Sequence, residues 1–223
     1  MRHEVLNETT EPSVNSLAAR SNRRTEVRIA RGFDDLLMVY TIRAAVYMAE
    51  QDCPFVEEFD GNDHCATHFL GLVDGEPAGC LRARFFADFC KIERLAVRKS
   101  YRRSAVASDL VLAAAEHCRR KGYAKIYGHA QEGVESFWAQ FGVKPIEGRK
   151  QFTFSGHRYT EMMFEKPAPS EAITTESGPM VILRPEGEWD RPGVLEFSSV
   201  RMARKPTENS VTEHLSIAHR HEV

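Results

Sequence analysis

The stretch KIERLAVRKSYRRSAVASDLVLAAAEHCRRKG, residues 91–122, constrains this chain more than any other. Ile92, Leu95 and Val97 are strand-type residues, and positions 98–104 interrupt them with charge and a hydroxyl. Val106, Leu110, Val111 and Ala114 then recur at helical spacing, and Gly122 follows a basic last turn, as a helix end favours. A strand feeding a helix through such a turn makes an anion site. The first helical N–H groups have no partner within the helix, and the helix dipole favours negative charge there. Arg102 and Arg103 add positive charge beside them, and Ser104 adds a hydroxyl. Successive backbone N–H groups plus an arginine suit phosphate capture; a solvated basic turn is the alternative.

The rest of the chain places this segment in a mixed order of elements. Residues 1–24 are polar and read as a flexible leader. A short strand is expected over 26–30. A helix is expected over 33–48, where Phe33, Leu36, Leu37, Tyr40, Ala44 and Tyr47 form a stripe behind Asp34 and Asp35. Residues 49–65 are acidic and irregular, the kind of loop that is usually functional. Strands are expected over 68–73 and 78–86, joined by an Asp74-Gly75 turn, and over 89–97. Beyond the organising helix come a strand at 124–130, a helix at 132–141, and closing strands at 143–146, 152–154 and 159–164. The predicted class is α/β of the α+β type: a mixed, mostly antiparallel central sheet with flanking helices. Three regions follow: a leader over 1–24, a folded domain over 25–166, and an extension over 167–223. The extension reads as a linker plus a small hairpin built from 181–183 and 194–197. Such strands could add to a partner subunit, making a homodimer through the extension one expectation.

Composition removes several classes. Lys and Arg number 30 against 32 Asp and Glu, a net charge of −2, so no bulk charge argues for nucleic acid or membrane. The 5 cysteines (53, 65, 80, 90 and 118) lack Cys-x-x-Cys spacing and fit reduced thiols in a cytoplasmic protein. No apolar run reaches transmembrane length, and the N-terminus lacks the apolar core of a secretory signal. No metal is expected. His64 and His68 are four apart but stand at a strand start, and His214, His219 and His221 fall in a polar tail.

The segment Arg102-Arg103-Ser104-Ala105-Val106-Ala107, after Ile92-Glu93-Arg94-Leu95-Ala96-Val97, resembles the acetyl-coenzyme-A loop of the GCN5-related N-acetyltransferase (GNAT) superfamily. That pattern is Arg/Gln-x-x-Gly-x-Gly/Ala. Ala107 fits it, and Ala105 stands where the family has glycine. A wider match to a predicted-acyltransferase subfamily covers about 26–166. It includes Arg43, Val46, Glu50, Gln51, Pro54, Glu58, Asp60, Gly61, Asp63, Ala66, Thr67 and His68, then His129-Ala130-Gln131 and the helix ESFWAQFGV. The resemblance implies the GNAT fold, acetyl-coenzyme A as co-substrate, and acetyl transfer to a small-molecule or peptide amine by direct attack. Arg43, Glu58, Asp60, Gly79-Cys80 and Glu93-Arg94 are also similar to acyl-homoserine-lactone synthases, which share the fold. A binding or regulatory module on the same fold is the remaining alternative.

Acyl transfer from a thioester requires a deprotonated amine, a stabilised oxyanion and a departing thiolate. An alkylamine titrates near about 10.4, so a base helps at neutral pH. Glu93, on the strand before the loop, is the candidate base; a salt bridge to Arg94 or Lys91 is the alternative reading. By resemblance, Leu95, Ala96 and Val97 lie along the pantetheine arm, and Arg102 to Ala107, with Ser104 and Val106 between, hold the phosphates. The family often places a tyrosine beside the thiolate where this chain has Trp138, whose indole N–H is not a useful acid. Tyr127 and Tyr159 are unranked substitutes. Arg43, Glu58 and Asp60, around the long loop, are candidates for receiving an amino substrate; a solvated loop with a structural ion pair is as good a reading. His129, with Gln131 at a strand end beside the expected cleft, is a further candidate; a satisfied polar pair that fixes a loop is the commoner fate of such residues.

Overall fold

The computed structural model describes residues 24–198. The expected leader, apart from Arg24, and the histidines of the tail lie outside the described residues. The chain divides into two compact units that part between Thr174 and Thr175.

The first unit opens with β1 (Thr25–Ile29) and α1 (Phe33–Arg43), which runs on into a π-helical turn (Ala44–Met48). The long acidic loop is broken by α2 (Phe55–Glu58) and a 3-10 turn (Asp63–Cys65). Then come β2 (Thr67–Val73), β3 (Glu76–Phe85), β4 (Cys90–Val97), α3 (Val106–Arg120) and β5 (Lys125–Gln131). The unit ends with α4 (Glu135–Ala139), β6 (Lys144–Pro145), β7 (Phe152–Phe154) and β8 (His157–Glu165). These strands make one 8-stranded sheet in the order β1-β2-β3-β4-β5-β8-β6, with β7 on β8. Every pairing is antiparallel except β4 with β5.

The sheet is covered on both faces, which is why β2 reads as a nearly unbroken apolar run. On one face α3 sets Val106, Leu110, Val111, Ala114 and Cys118 against Phe69, Leu81, Ile92 and Ile126. On the other, Val39, Ile42 and Val46 pack on Leu70, Leu72, Cys80 and Ala96. The Asp74-Gly75 turn forms as expected, with φ of 54° and 84°, the left-handed pair a two-residue hairpin needs.

Close seating of α3 depends on Gly71. A Cβ there would lie 2.5 Å from Val106 Cγ2. Gly71→Ala should therefore cost about 1–3 kcal/mol through overpacking, read as a lower denaturation midpoint. An unchanged midpoint would mean that α3 yields freely.

The expected boundary at 166 moves outward. Residues after β8 run along the end of α3, where the Ile173 N–H donates to the Arg120 carbonyl at 2.7 Å and Arg119 donates to the Pro167 carbonyl at 3.3 Å. In the second unit, the expected hairpin strands at 181–183 and 194–197 are short helices instead: α5 (Pro179–Ile182) and α6 (Val194–Phe197). Short apolar runs do not distinguish strand from helix by periodicity. Pro179 at the first turn of α5 suits a helix start. At α6 the Glu196 carboxylate accepts from the Gly193 N–H while the Glu196 N–H donates to the Gly193 carbonyl at 3.1 Å. Arg184 pairs with Glu196 at 2.9 Å within the same unit. Among the described residues no helix is long and apolar enough to cross a membrane.

Candidate active site

The site grows out of a defect in β4. Against β3, Cys80 faces Ala96 but Arg82 faces Glu93, so β4 carries one extra residue between them. The bulge contains Arg94, whose φ of 55° is left-handed, a conformation that costs a non-glycine residue. Its guanidinium is anchored in return. Nη2 donates to the Glu57 carbonyl at 2.8 Å, and Nε lies 3.1 Å from Glu58 Oε2.

β4 leaves β5 before the bulge is reached. The two pair only as Cys90 with Ile126 and Lys91 with Tyr127, and then part. The Arg98 N–H donates to the Ala78 carbonyl at 2.9 Å, so alternate residues up to Ala96 bond toward β3. Leu95 and Val97 therefore turn their backbone groups toward the gap. Side chains already cap both carbonyls there: Tyr47 Oη donates to the Leu95 carbonyl at 2.8 Å, and Arg102 Nε donates to the Val97 carbonyl at 3.0 Å. Tyr47 is aimed by the π-helical turn that ends α1. What remains on this edge is donor-only, the Leu95 and Val97 N–H groups. A cleft of about 240 Å³, counting its open mouth, lies along β5, walled by Ile92, Tyr127, His129, Trp138 and Met162.

The gap leads to the start of α3. Ala105 there has φ of −72°, an ordinary right-handed value, so the alanine in the family's glycine position is unstrained. Ser104 Oγ donates to the Tyr101 carbonyl at 2.7 Å and accepts from the Val106 N–H at 3.4 Å. The Asp109 N–H reaches the Ala105 carbonyl at 3.0 Å. Among the described residues no oxygen accepts from the Ala107 and Ser108 N–H groups, which leaves donors at the helix mouth. Arg102 is paired with Glu50, whereas Arg103 is exposed and makes no ion pair among the described residues.

On the α1 side of the sheet lies a buried ionic lattice. Arg43 and Arg82 are 0% exposed and Glu58 is 1% exposed. Arg43 Nε donates to Glu58, Nη1 reaches Asp63 Oδ1 at 2.5 Å, and Nη2 reaches the Glu58 carbonyl at 2.7 Å. Arg82 grips Asp60 at 2.7 and 2.8 Å, Asp63 at 2.8 Å and Glu93 at 3.0 Å. Lys91 Nζ takes the other Glu93 oxygen at 2.7 Å. Burial pushes the Glu93 carboxyl up, but Lys91 and Arg82 outweigh it and hold the group below its usual value. Asp60 is pulled down chiefly by its hydrogen bond from Arg82.

The predicted site residues thus fall into separate places. Leu95, Ala96 and Val97 border the gap, and Arg102 to Ala107 form its basic end. Arg43 and Glu58 lie beneath the surface, committed to each other, while Asp60 remains partly open. Tyr127 and His129 line the cleft. Tyr159 stands on β8 opposite Gln131, its ring stacked on Phe154 at 4.1 Å. Sequence reasoning missed Tyr47, Arg82 and Glu161. Arg82 sits in an alternating strand where an arginine reads as solvent-facing; its signal was Glu93, on the same face of the neighbouring strand.

The model for the acetyltransferase (GNAT) family matches residues 36–143. A protein of Bacillus subtilis (strain 168) provisionally named an acetyltransferase is 30% identical over 113 residues, which is 49% of this chain and 77% of that protein. Among solved structures, a protein from Lactobacillus plantarum provisionally named an N-acetyltransferase superposes with a TM-score of 0.59 at 20% identity, covering 64% of this chain and 98% of the other. A GNAT family acetyltransferase from Elizabethkingia anophelis, solved with acetyl-CoA bound, superposes with a TM-score of 0.51 at 12% identity, covering 63% of this chain and 97% of that one. The structural likenesses speak to the fold. The parted strands, the bulge and the basic helix start define an acyltransferase-type scaffold, and this chain belongs to the GNAT acetyltransferase family.

Proposed function

We propose that the chain is an N-acetyltransferase that moves an acetyl group from acetyl-coenzyme A to an amine by direct attack. The observation that carries this is the donor-only edge of β4 leading into the basic start of α3. Leu95 and Val97 N–H groups suit carbonyl acceptors, such as those of a pantetheine amide and a thioester. The Arg102–Ala107 turn suits a pyrophosphate. The acetyl-CoA-bound structural neighbour lends support at the level of the fold.

Calorimetry with acetyl-coenzyme A tests the reading: no heat at millimolar concentration overturns it. Arg102→Glu removes one charge-assisted contact and sets a new carboxylate beside Glu50. Affinity should fall about tenfold or more, from the roughly 1.5–3 kcal/mol such a bond contributes, and raised salt should narrow the difference.

A second reading has one observation behind it. Trp138 lines the cleft where a tyrosine would serve as proton donor. A binding module would take up acetyl-coenzyme A without acetylating any amine in a panel; one robust turnover excludes it.

A further inference from the structure

We propose that His129 is the base that takes a proton from the acceptor ammonium, and that Tyr127 and Glu161 orient it for that step. This rests on the transferase reading above. Tyr127 and His129 share one face of β5, while Ile126 and Ala130 turn to the buried core. The Tyr127 hydroxyl donates to Glu161 Oε1 at 2.7 Å, and His129 Nε2 lies 2.7 Å from the same hydroxyl. A carboxylate only accepts, so the single phenolic proton points at Glu161 and the phenolic oxygen is left to accept. His129 Nε2 therefore carries its hydrogen, and in the neutral ring Nδ1 holds the free electron pair. Nδ1 makes no hydrogen bond among the described residues and is not sealed from solvent. Phe152 fixes the ring edge-on at 4.9 Å.

The charged groups facing His129 come from two strands. β4 supplies Lys91 and Glu93, and β8 supplies Glu161, with Arg149 3.9 Å behind it. Burial, assisted by Lys91, draws the imidazole below its ordinary value, against the pull of Glu161 and Glu93. The ring is therefore unprotonated at neutral pH and ready to accept. Glu93 differs, because Arg82 and Lys91 occupy its oxygens and hold it as a weak base. Once His129 is protonated at Nδ1, its Nε2–H still points at Tyr127, whose dipole is aligned by Glu161. Such an orienting group behind a histidine base fixes the tautomer and steadies the imidazolium.

The step balances as follows. Nδ1 takes one proton from R–NH3+, and the freed nitrogen pair attacks the thioester carbonyl carbon. The tetrahedral adduct expels sulfur with the C–S electron pair. The second N–H proton passes to that sulfur or to water, and the imidazolium returns its proton to solvent. The phenolic proton of Tyr127 stays with Glu161, which makes Tyr127 a positioning residue and not the acid for the thiolate.

Two measurements on the full chain decide this. Long-range proton–nitrogen NMR of 15N-histidine-labelled protein should show His129 as the Nε2–H tautomer, and Tyr127→Phe should mix the two tautomers; a wild-type Nδ1–H ring overturns the proposal. In acetylation of an amine panel, His129→Gln should lower kcat/KM by about 100-fold or more. It should abolish the acidic limb of the pH profile while acetyl-coenzyme A affinity stays within about twofold. Glu161→Gln should shift that limb and lower the rate less. If the wild type acetylates amines and His129→Gln keeps both rate and limb, this inference alone fails. If the wild type acetylates nothing in the panel, the transferase reading fails and takes this one with it.

Discussion

Arg82→Leu should lower the thermal midpoint by roughly 6–20 °C. Removing one partner of a buried ion pair costs about 3–5 kcal/mol, because the carboxylates left behind remain buried without compensation, and in a chain of this size each kcal/mol moves the midpoint by about 2–4 °C. Here Asp60, Asp63 and Glu93 would lose the arginine that holds them together, and each would keep one basic partner: Arg94, Arg43 and Lys91 in turn. The pH dependence has a definite sign. Asp60 is held below its usual value by Arg82; Asp63 and Glu93 are pushed up by burial but pulled further down by their basic partners. Groups with depressed folded values stabilise the fold above the ordinary carboxylate range, near about 4. They lose that contribution as pH falls through their folded values. Glu58, raised by burial, has the opposite sign and offsets part of it. Wild-type stability should thus drop steeply below about pH 4, and Arg82→Leu should flatten that slope. A midpoint within 2 °C of wild type, or an unchanged acid slope, would show that the lattice contributes little; the melting curve at several pH values reads both.

The second large effect concerns Arg94. Arg94→Val places a β-branched residue at a left-handed position, whereas Arg94→Gly removes the same ion pairs but tolerates the conformation. The difference isolates the bulge from the charge. Left-handed strain of about 1–2 kcal/mol favours straightening β4 in the valine variant. Straightening would reset the residues that face the gap. Acetyl-coenzyme A should bind Arg94→Val about tenfold more weakly than Arg94→Gly, tenfold being about 1.4 kcal/mol. Equal affinities by calorimetry would separate the bulge from binding.

Much of this architecture was legible in local patterns. The strand–turn–helix over 91–122 and the Asp74-Gly75 hairpin each combine a periodicity with a terminating residue, and each formed nearly as read. The helix of α1 formed too, but its buried face is Val39, Ile42 and Val46, and Phe33 and Leu37 of the expected stripe are exposed. The second unit offered apolar runs too short to show a period, and its helices follow from a proline start and a glycine–glutamate cap. The site divided in the same way. Its basic turn is contiguous in sequence and was visible. Its lattice joins α1, α2, β3 and β4 through residues 43, 58, 82 and 94, and no local pattern reveals that a strand arginine has been buried. The bulge is equally silent, since it depends on how β3 and β4 align, not on a glycine.

The capped carbonyls of Leu95 and Val97 have a consequence for how the molecule keeps to itself. A sheet split in its middle exposes two strand margins of the kind that recruit foreign polypeptide. An incoming strand needs alternating donors and acceptors, and on the β4 margin Tyr47 and Arg102 have taken the acceptors. The opening therefore refuses a β-ladder while still admitting a thin chain that brings only carbonyls. Tyr47→Phe would hand one acceptor back, and with it a foothold for self-association.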